Sequence, residues 1–232
     1  MAHAALKNKL IAAGKVLAAA GQGDFTRGHI SVRMPGKPQL LYMKPHSVGL
    51  DEITPRNILT IALDGEVVAG KARRHSEVYI HSEIYKARPD VHCVIHSHSP
   101  YATALSAIGR PMKAYSQGGA LFRGALGVYT DTIRLIRTSE LGAGVAKALG
   151  PHRAVLLKNH GVAVACASIE EAVVSAIMLE NAAMVQMVAE AAGEPALEFA
   201  NDDIAGLREQ LSRPEQFVIN FDYLVRRLKT RR

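Results

Sequence analysis

The residues with evident chemistry in this chain of 232 residues gather around Val91–Pro100, VHCVIHSHSP. An apolar run from Val91 to Ile95 ends in His96-Ser97-His98. Side chains two apart on a strand share a face, so His96 and His98 aim two imidazoles at one point. Pro100 suits the first turn of a following helix, with Ser99 as its cap. Two imidazoles do not complete a catalytic metal site, which asks for three protein ligands and an open position. The sequence offers one candidate on either side: Glu77, in HSEVYIH, and His160, in LLKNHG. His-x-His alone is a weak signal, because ten histidines produce accidental pairs; its company gives it weight.

Glu77 falls at the start of an expected helix, where it serves as a ligand, as a general base, or simply as a first-turn acid favoured by the helix dipole. His81 lies one helical turn on and shares its face, which suits a supporting hydrogen bond. His160 is held at a strand-end turn by Asn159 and Gly161.

The elements that must position these groups follow from periodicity. Residues 3–20 recur at helical spacing through Leu6, Leu10, Ala13 and Leu17, and Gly21 and Gly23 end that helix. Residues 28–33 alternate as a strand, and Leu40–Met43 reads as a second. Thr54-Pro55 looks like the start of a short helix. Leu59–Leu63 and Glu66–Ala69 read as a hairpin joined by Asp64-Gly65 in a primed turn. A helix is expected from about Ser76 to Ala87, a strand over 91–98, and a helix over Tyr101–Ile108. Residues 112–137 are loop-rich with short strand-like pieces. Thr138 or Ser139 caps a helix ending near Gly150, and Ala154–Lys158 and Val162–Cys166 are strands around the Asn159-His160-Gly161 turn. Ser168 and Glu171 form a capping-box pattern opening a long helix to about Ala192. Helices over 203–211 and 214–228 follow. The expected architecture is a three-layer α/β/α sandwich on a mainly antiparallel sheet, one domain over residues 1–232.

Composition narrows the function classes. Hydrophobic content of 48% and charged content of 21% fit a globular protein. The net charge of +7 is scattered apart from the tail Val225–Arg232, VRRLKTRR, whose cations suit a helix C-terminus; nucleic-acid binding is not expected. Cys93 and Cys166 lie in apolar runs and read as buried thiols, which fits a reducing cytoplasm. Lys7, Lys9 and Lys15 interrupt any leader-like apolar stretch. No membrane partner is expected, since no run approaches the roughly 20 apolar residues of a span.

Taken together, Ser76-Glu77 with His81, Ala87-Arg88-Pro89-Asp90, His96-Ser97-His98-Ser99-Pro100, Lys158-Asn159-His160-Gly161 and the Gly28–Arg33 pattern resemble the class II aldolase/adducin family over about Gly21 to Gly193. The resemblance implies one divalent ion per subunit held by His96, His98 and His160; the ligand set puts zinc first, with manganese, iron or cobalt as alternatives. It implies Glu77 as acid/base and as the fourth ligand when no substrate is bound. It also implies a homotetramer with active sites between subunits. A tyrosine from the neighbour would serve as acid: Tyr115 matches that place, with Tyr223 as the second candidate, and either is equally a packing residue. Non-enzymatic, adducin-like members lack the metal-site histidines, which are all present here.

The family's shared chemistry is cleavage of a carbon–carbon bond, with the ion acting as a Lewis acid on an enolate-like carbanion. Its sugar-phosphate aldolases and epimerases usually show G-N-x-S and S-S-E; this chain has Gly28-His29-Ile30-Ser31 and His75-Ser76-Glu77 instead. It is similar in this to the family's decarboxylases of hydroxylated aromatic or pyridine dicarboxylates. A small anionic substrate is expected, with His29 or His75 donating a hydrogen bond to a carboxylate or delivering a proton. Ser31 and Ser76 would bind substrate, and Arg73 or Arg74 would pair with a second carboxylate. A sugar-phosphate aldolase or epimerase is the alternative, and a non-catalytic adducin-like interaction domain the second.

Overall fold

The computed structural model describes residues 2–193 and 196–230. Its centre is one eight-stranded sheet: β1 His29–Met34, β2 Lys37–Met43, β3 Leu59–Ala62, β4 Val67–Ala69, β5 Cys93–Ser97, β6 Gly127–Tyr129, β7 Ala154–Leu157 and β8 Gly161–Cys166. The spatial order is β4-β3-β2-β1-β5-β8-β7-β6. Every pairing is antiparallel except β6 with β7. The helices are α1 Ala2–Ala19, α2 Val78–Ala87, α3 Pro100–Ile108, α4 Gln117–Phe122, α5 Ser139–Leu149, α6 Ile169–Ala191, α7 Asn201–Leu211 and α8 Pro214–Thr230. This is the expected three-layer α/β/α sandwich.

Strand alternation sorts the two faces. Ile30 and Val32 of β1, Cys93 and Ile95 of β5 and Val162 and Val164 of β8 pack with α1, α3, α6 and α8. Val94 of β5 and Ala163 and Ala165 of β8 face the other way, against α2 and α5. On β1 that second face carries His29, Ser31 and Arg33, all buried. A polar row inside a core must be hydrogen-bonded, and α2 supplies its partners.

Several local expectations are corrected. Thr54-Pro55 opens a turn, closed by the Asn57 amide on the Thr54 carbonyl at 3.2 Å; the short helix precedes it, as one 3₁₀ turn at Leu50–Glu52. The β3–β4 connection is not a primed turn. Only Gly65 has positive φ, 93°, and its amide bonds the Ala62 carbonyl at 2.9 Å, as in a type I turn followed by a left-handed glycine. Residues 112–137 hold β6, one of the short strand-like pieces expected there, but also α4, too short to show periodicity. Ser99 occupies the N-cap of α3 without a side-chain bond. The Glu180 carboxylate of α6 does that work, accepting from the Tyr101 and Ala102 amides at 2.9 Å each and complementing the helix dipole.

α6 is long and apolar enough to cross a membrane by length and composition, contrary to the sequence expectation, but half of its most apolar window is buried within the fold. The basic tail is helical through Arg226 and Arg227; Arg231, Arg232 and the side chain of Lys229 lie outside the described residues.

Candidate metal centre

β5 carries His96 and ends at Ser97, one residue before His98, and β8 starts beside them, because Ser97 pairs with Val162. The tight β7–β8 connection therefore sets His160 next to the pair. Its Asn159 sits at φ 57°, a left-handed position that Asn tolerates better than most residues. Glu77 is the N-cap of α2 and reaches the same point from the helix layer.

The candidate ligand atoms of Glu77, His96, His98 and His160 lie within 4.8 Å of one another. The Nε2 atoms of His96 and His98 are 3.1 Å apart, His96 Nε2 is 4.0 Å from Glu77 Oε2, and His160 Nε2 is 3.5 Å from Glu77 Oε1. His96 donates from Nδ1 to the Val162 carbonyl at 3.1 Å. His98 donates from Nδ1 to Asp24 Oδ2 at 2.7 Å. With each ring's Nδ1 so engaged, it is the two Nε2 atoms that face each other, and in the neutral rings their lone pairs are what a cation between them would take. Both ring nitrogens of His160 are buried without a hydrogen-bond partner among the described residues. The residues present therefore fit a divalent ion bound by neutral imidazoles and a carboxylate.

Burial, followed by the neighbouring His98, pushes His96 well below the ordinary histidine range, and the same two causes push His160 down to about 4. Neutral imidazole is the ligating form. The Glu77 carboxyl is raised by burial, against the opposing Ile136 amide, which donates to Oε1 at 2.9 Å. Asp24 is a residue that sequence reasoning missed. It lies in a loop where Asp24 and Phe25 both take positive φ, 40° and 54°, a strained arrangement of the kind found at functional sites. Ser97 anchors that loop by donating to Gln22 Oε1 at 3.1 Å.

Beside the cluster lies a layer of histidines. The His29 ring is 4.9 Å from His96 and 4.5 Å from His75, centroid to centroid. Its Nδ1 is 2.6 Å from His81 Nε2, and its Nε2 is buried with no partner among the described residues. His75 is 2.9 Å from the ammonium of Lys44 and 3.0 Å from the Pro45 carbonyl. Lys44 is fully buried, with its ammonium also on the Thr26 and Pro45 carbonyls; burial lowers it to about 8. A single lysine after an apolar strand gives no sequence signal of this role.

The other candidates fall as follows. Ser31 is buried, its hydroxyl on His81 and Tyr85 at 2.7 and 3.0 Å. Ser76 is half-buried beside Glu77. Arg74 donates to the His75 carbonyl at 3.0 Å, and Arg73 is exposed. Tyr115 is half-buried before Ser116, the N-cap of α4, and Tyr223 is exposed on α8.

A sandwich of this topology, with a Glu/His₃ cluster able to hold a metal ion where β5 and β8 meet, defines an enzyme of the class II aldolase type. The chain belongs to the Class II Aldolase and Adducin N-terminal domain family, which matches residues 8–187. It is 33% identical over 174 residues to decarboxylase NovR of Streptomyces niveus, covering 74% of this chain and 64% of that protein, so it spans just under two thirds of that relative's length. It is 30% identical over 218 residues to a 3,4-dihydroxyphthalate decarboxylase of Arthrobacter keyseri, covering 89% of this chain and 88% of the relative. Among solved structures, an L-fuculose 1-phosphate aldolase from Glaciozyma antarctica PI12 superposes with a TM-score of 0.86 at 27% identity, covering 97% of this chain and 88% of the other.

Proposed function

We propose that this protein is a divalent-metal-dependent carbon–carbon lyase that removes carbon dioxide from a hydroxylated aromatic or heteroaromatic carboxylate. The observation that carries the reading is the imidazole layer. His29 stands beside His96, and His75 beside His29 in turn, where the family pattern for sugar phosphates calls for Asn and a small Ser. Flat rings stack on a planar ligand and leave less room for a tetrahedral phosphate.

A bound divalent ion, with zinc the first choice, would supply Lewis-acid stabilisation of the electron pair left on the ring carbon. His96, His98 and His160 hold it, with Glu77 as the fourth ligand when no substrate is present. Glu77 then holds and returns a proton at its carboxylate, and burial, which raises its affinity for that proton, suits the task. The buried walls exclude water from the developing carbanion. His29 and His75 orient the substrate. Arg73 or Arg74, at the start of the same segment, pairs with a second carboxylate. Ser76 contacts the substrate beside Glu77, and Ser31 acts from behind His29.

The remaining features of the reading are one domain over 1–232, a homotetramer in which Tyr115 of one copy, in preference to Tyr223, reaches the next copy's centre, and a cytoplasmic location. The free, buried Cys93 and Cys166 favour that compartment.

A sugar-phosphate aldolase is the second reading, favoured by the likeness to the fuculose phosphate enzyme. A non-catalytic adducin-like role has less support, because the ligand set is complete. A paired assay separates the readings: carbon dioxide release from hydroxy-aromatic dicarboxylates against retro-aldol cleavage of ketose 1-phosphates. The expected result is release of carbon dioxide, damaged by His29→Asn. Efficient cleavage of a ketose phosphate without any carbon dioxide release would move the protein to the aldolase branch.

A further inference from the structure

We infer that Tyr85, Ser31 and His81 form a one-way hydrogen-bond chain that fixes the tautomer of His29, its proton on Nδ1 and a bare Nε2 offered to a ligand hydroxyl. The chain exists because two periods nearly match. Positions 77, 81 and 85 follow one face of α2 at about 6 Å per step, and positions 29, 31 and 33 follow one face of β1 at about 6.6–6.8 Å per step. The two polar rows therefore stay in register where helix and strand pack together.

Its direction can be worked out from the far end. The Tyr85 hydroxyl lies 3.1 Å from the Ser31 carbonyl and 3.4 Å from the His92 carbonyl. Carbonyl oxygens only accept, so the single phenolic proton goes to them. The Ser31 hydroxyl, 3.0 Å from the phenol oxygen, must then donate to it. That leaves Ser31 Oγ to accept from His81 Nδ1–H at 2.7 Å. A neutral His81 carries one ring proton, so its Nε2 is bare and accepts from His29 Nδ1–H at 2.6 Å. Burial keeps His81 neutral, its pKa pushed down to about 3. At the near end His29 Nε2 is left as a lone pair, buried and without a partner. Reversing the chain would turn the phenol oxygen's lone pairs on two carbonyls.

Arg33 locks the anchor in place. Its guanidinium lies over the Tyr85 ring at 4.7 Å and donates to the Tyr85 carbonyl at 2.9 Å. Tyr85, Ser31 and His81 are thus positioning residues, and His29 reads a hydrogen-bond donor on the ligand rather than supplying one to a carboxylate. The ligand class rests on the decarboxylase reading; the tautomer does not.

The test uses the zinc-loaded chain of 232 residues labelled with nitrogen-15 at histidine, with proton–nitrogen correlation spectra of the imidazoles near neutral pH. His29 should appear as the Nδ1–H tautomer in the wild type. It should lose that single form in both Tyr85→Phe and Ser31→Ala, two small changes whose folding is checked by thermal melts. In a second arm, salicylate is compared with its methyl ether, o-methoxybenzoate. The wild type's preference for the hydroxyl should narrow by about threefold to tenfold in Tyr85→Phe, the weight of one neutral hydrogen bond. A wild-type His29 protonated on Nε2, or the same single tautomer in both variants, overturns the chain. An unchanged ligand ratio overturns the assignment of the hydroxyl. A protein that releases no carbon dioxide yet shows Nδ1–H at His29 keeps the chain and rejects only the decarboxylase reading.

Discussion

His98 Nδ1 and Asp24 Oδ2 are 2.7 Å apart, which gives one imidazole of the cluster a carboxylate partner while His96 has only a main-chain carbonyl. A carboxylate fixes the ring, makes its other nitrogen a stronger donor to a cation, and is commonly worth a factor of about 10–100 in metal affinity. Asp24→Ala is therefore expected to weaken metal binding by about that factor, and Asp24→Asn by less, since the amide still accepts a hydrogen bond. Competition titration against a chelator measures this. Unchanged affinity in Asp24→Ala would show that the pair only closes the loop.

Gly161 gives the histidines their close approach. A Cβ built there would lie 2.5 Å from the Ser97 carbonyl oxygen and 2.8 Å from His98 Cδ2. Gly161→Ala must push strand β5 or the His98 ring aside, an overpacking cost of about 1–3 kcal/mol. We expect a lowered urea midpoint together with weakened metal binding. A variant with wild-type values for both would mean that the hairpin relaxes without moving the ligand.

Glu77→Gln keeps the shape and leaves three imidazoles. The expected outcome is a folded protein that retains most of its metal and loses turnover by about 10²-fold or more, the usual weight of acid–base catalysis. Wild-type kcat on the substrate identified by the paired assay would remove Glu77 from the acid/base role.

Lys44 makes stability depend on pH. Its folded-state pKa of about 8 lies below the ordinary 10.5, so between those values the unfolded chain binds more protons and stability rises with pH. Below about pH 8 both states are charged and the cost of burying the cation is fully present. The gap corresponds to about 3 kcal/mol. His81 has the same sign in acid: its pKa of about 3 against 6.5 gives stability that is present above pH 6.5 and fades as pH falls toward 3. Urea unfolding of wild type and Lys44→Met between pH 7 and 10 should give curves whose difference is flat below about pH 8 and changes in favour of the wild type above it. Parallel curves across the whole range would place the Lys44 charge in solvent.

What the sequence by itself determined are the features set by short-range periodicity. His96 and His98 converge because they are two apart at the end of an extended run, Glu77 and His81 because they are four apart across a helix start, and His160 sits in a turn made by Asn159 and Gly161. Even the layer architecture follows from such runs and their connections. The tertiary structure decided what no local pattern encodes. Asp24 meets His98 across 74 positions, Lys44 meets His75 across 31, and Glu180 caps α3 from 79 residues away from Tyr101. Tyr85, Ser31 and His81 become a chain only because β1 lies between β2 and β5, in the register that pairs His29 with His96. A slip of one residue would turn His29 and Ser31 to the opposite face. Sheet order and register are set by the burial of the whole apolar core, so the partners of a buried polar group become definite only when the fold does.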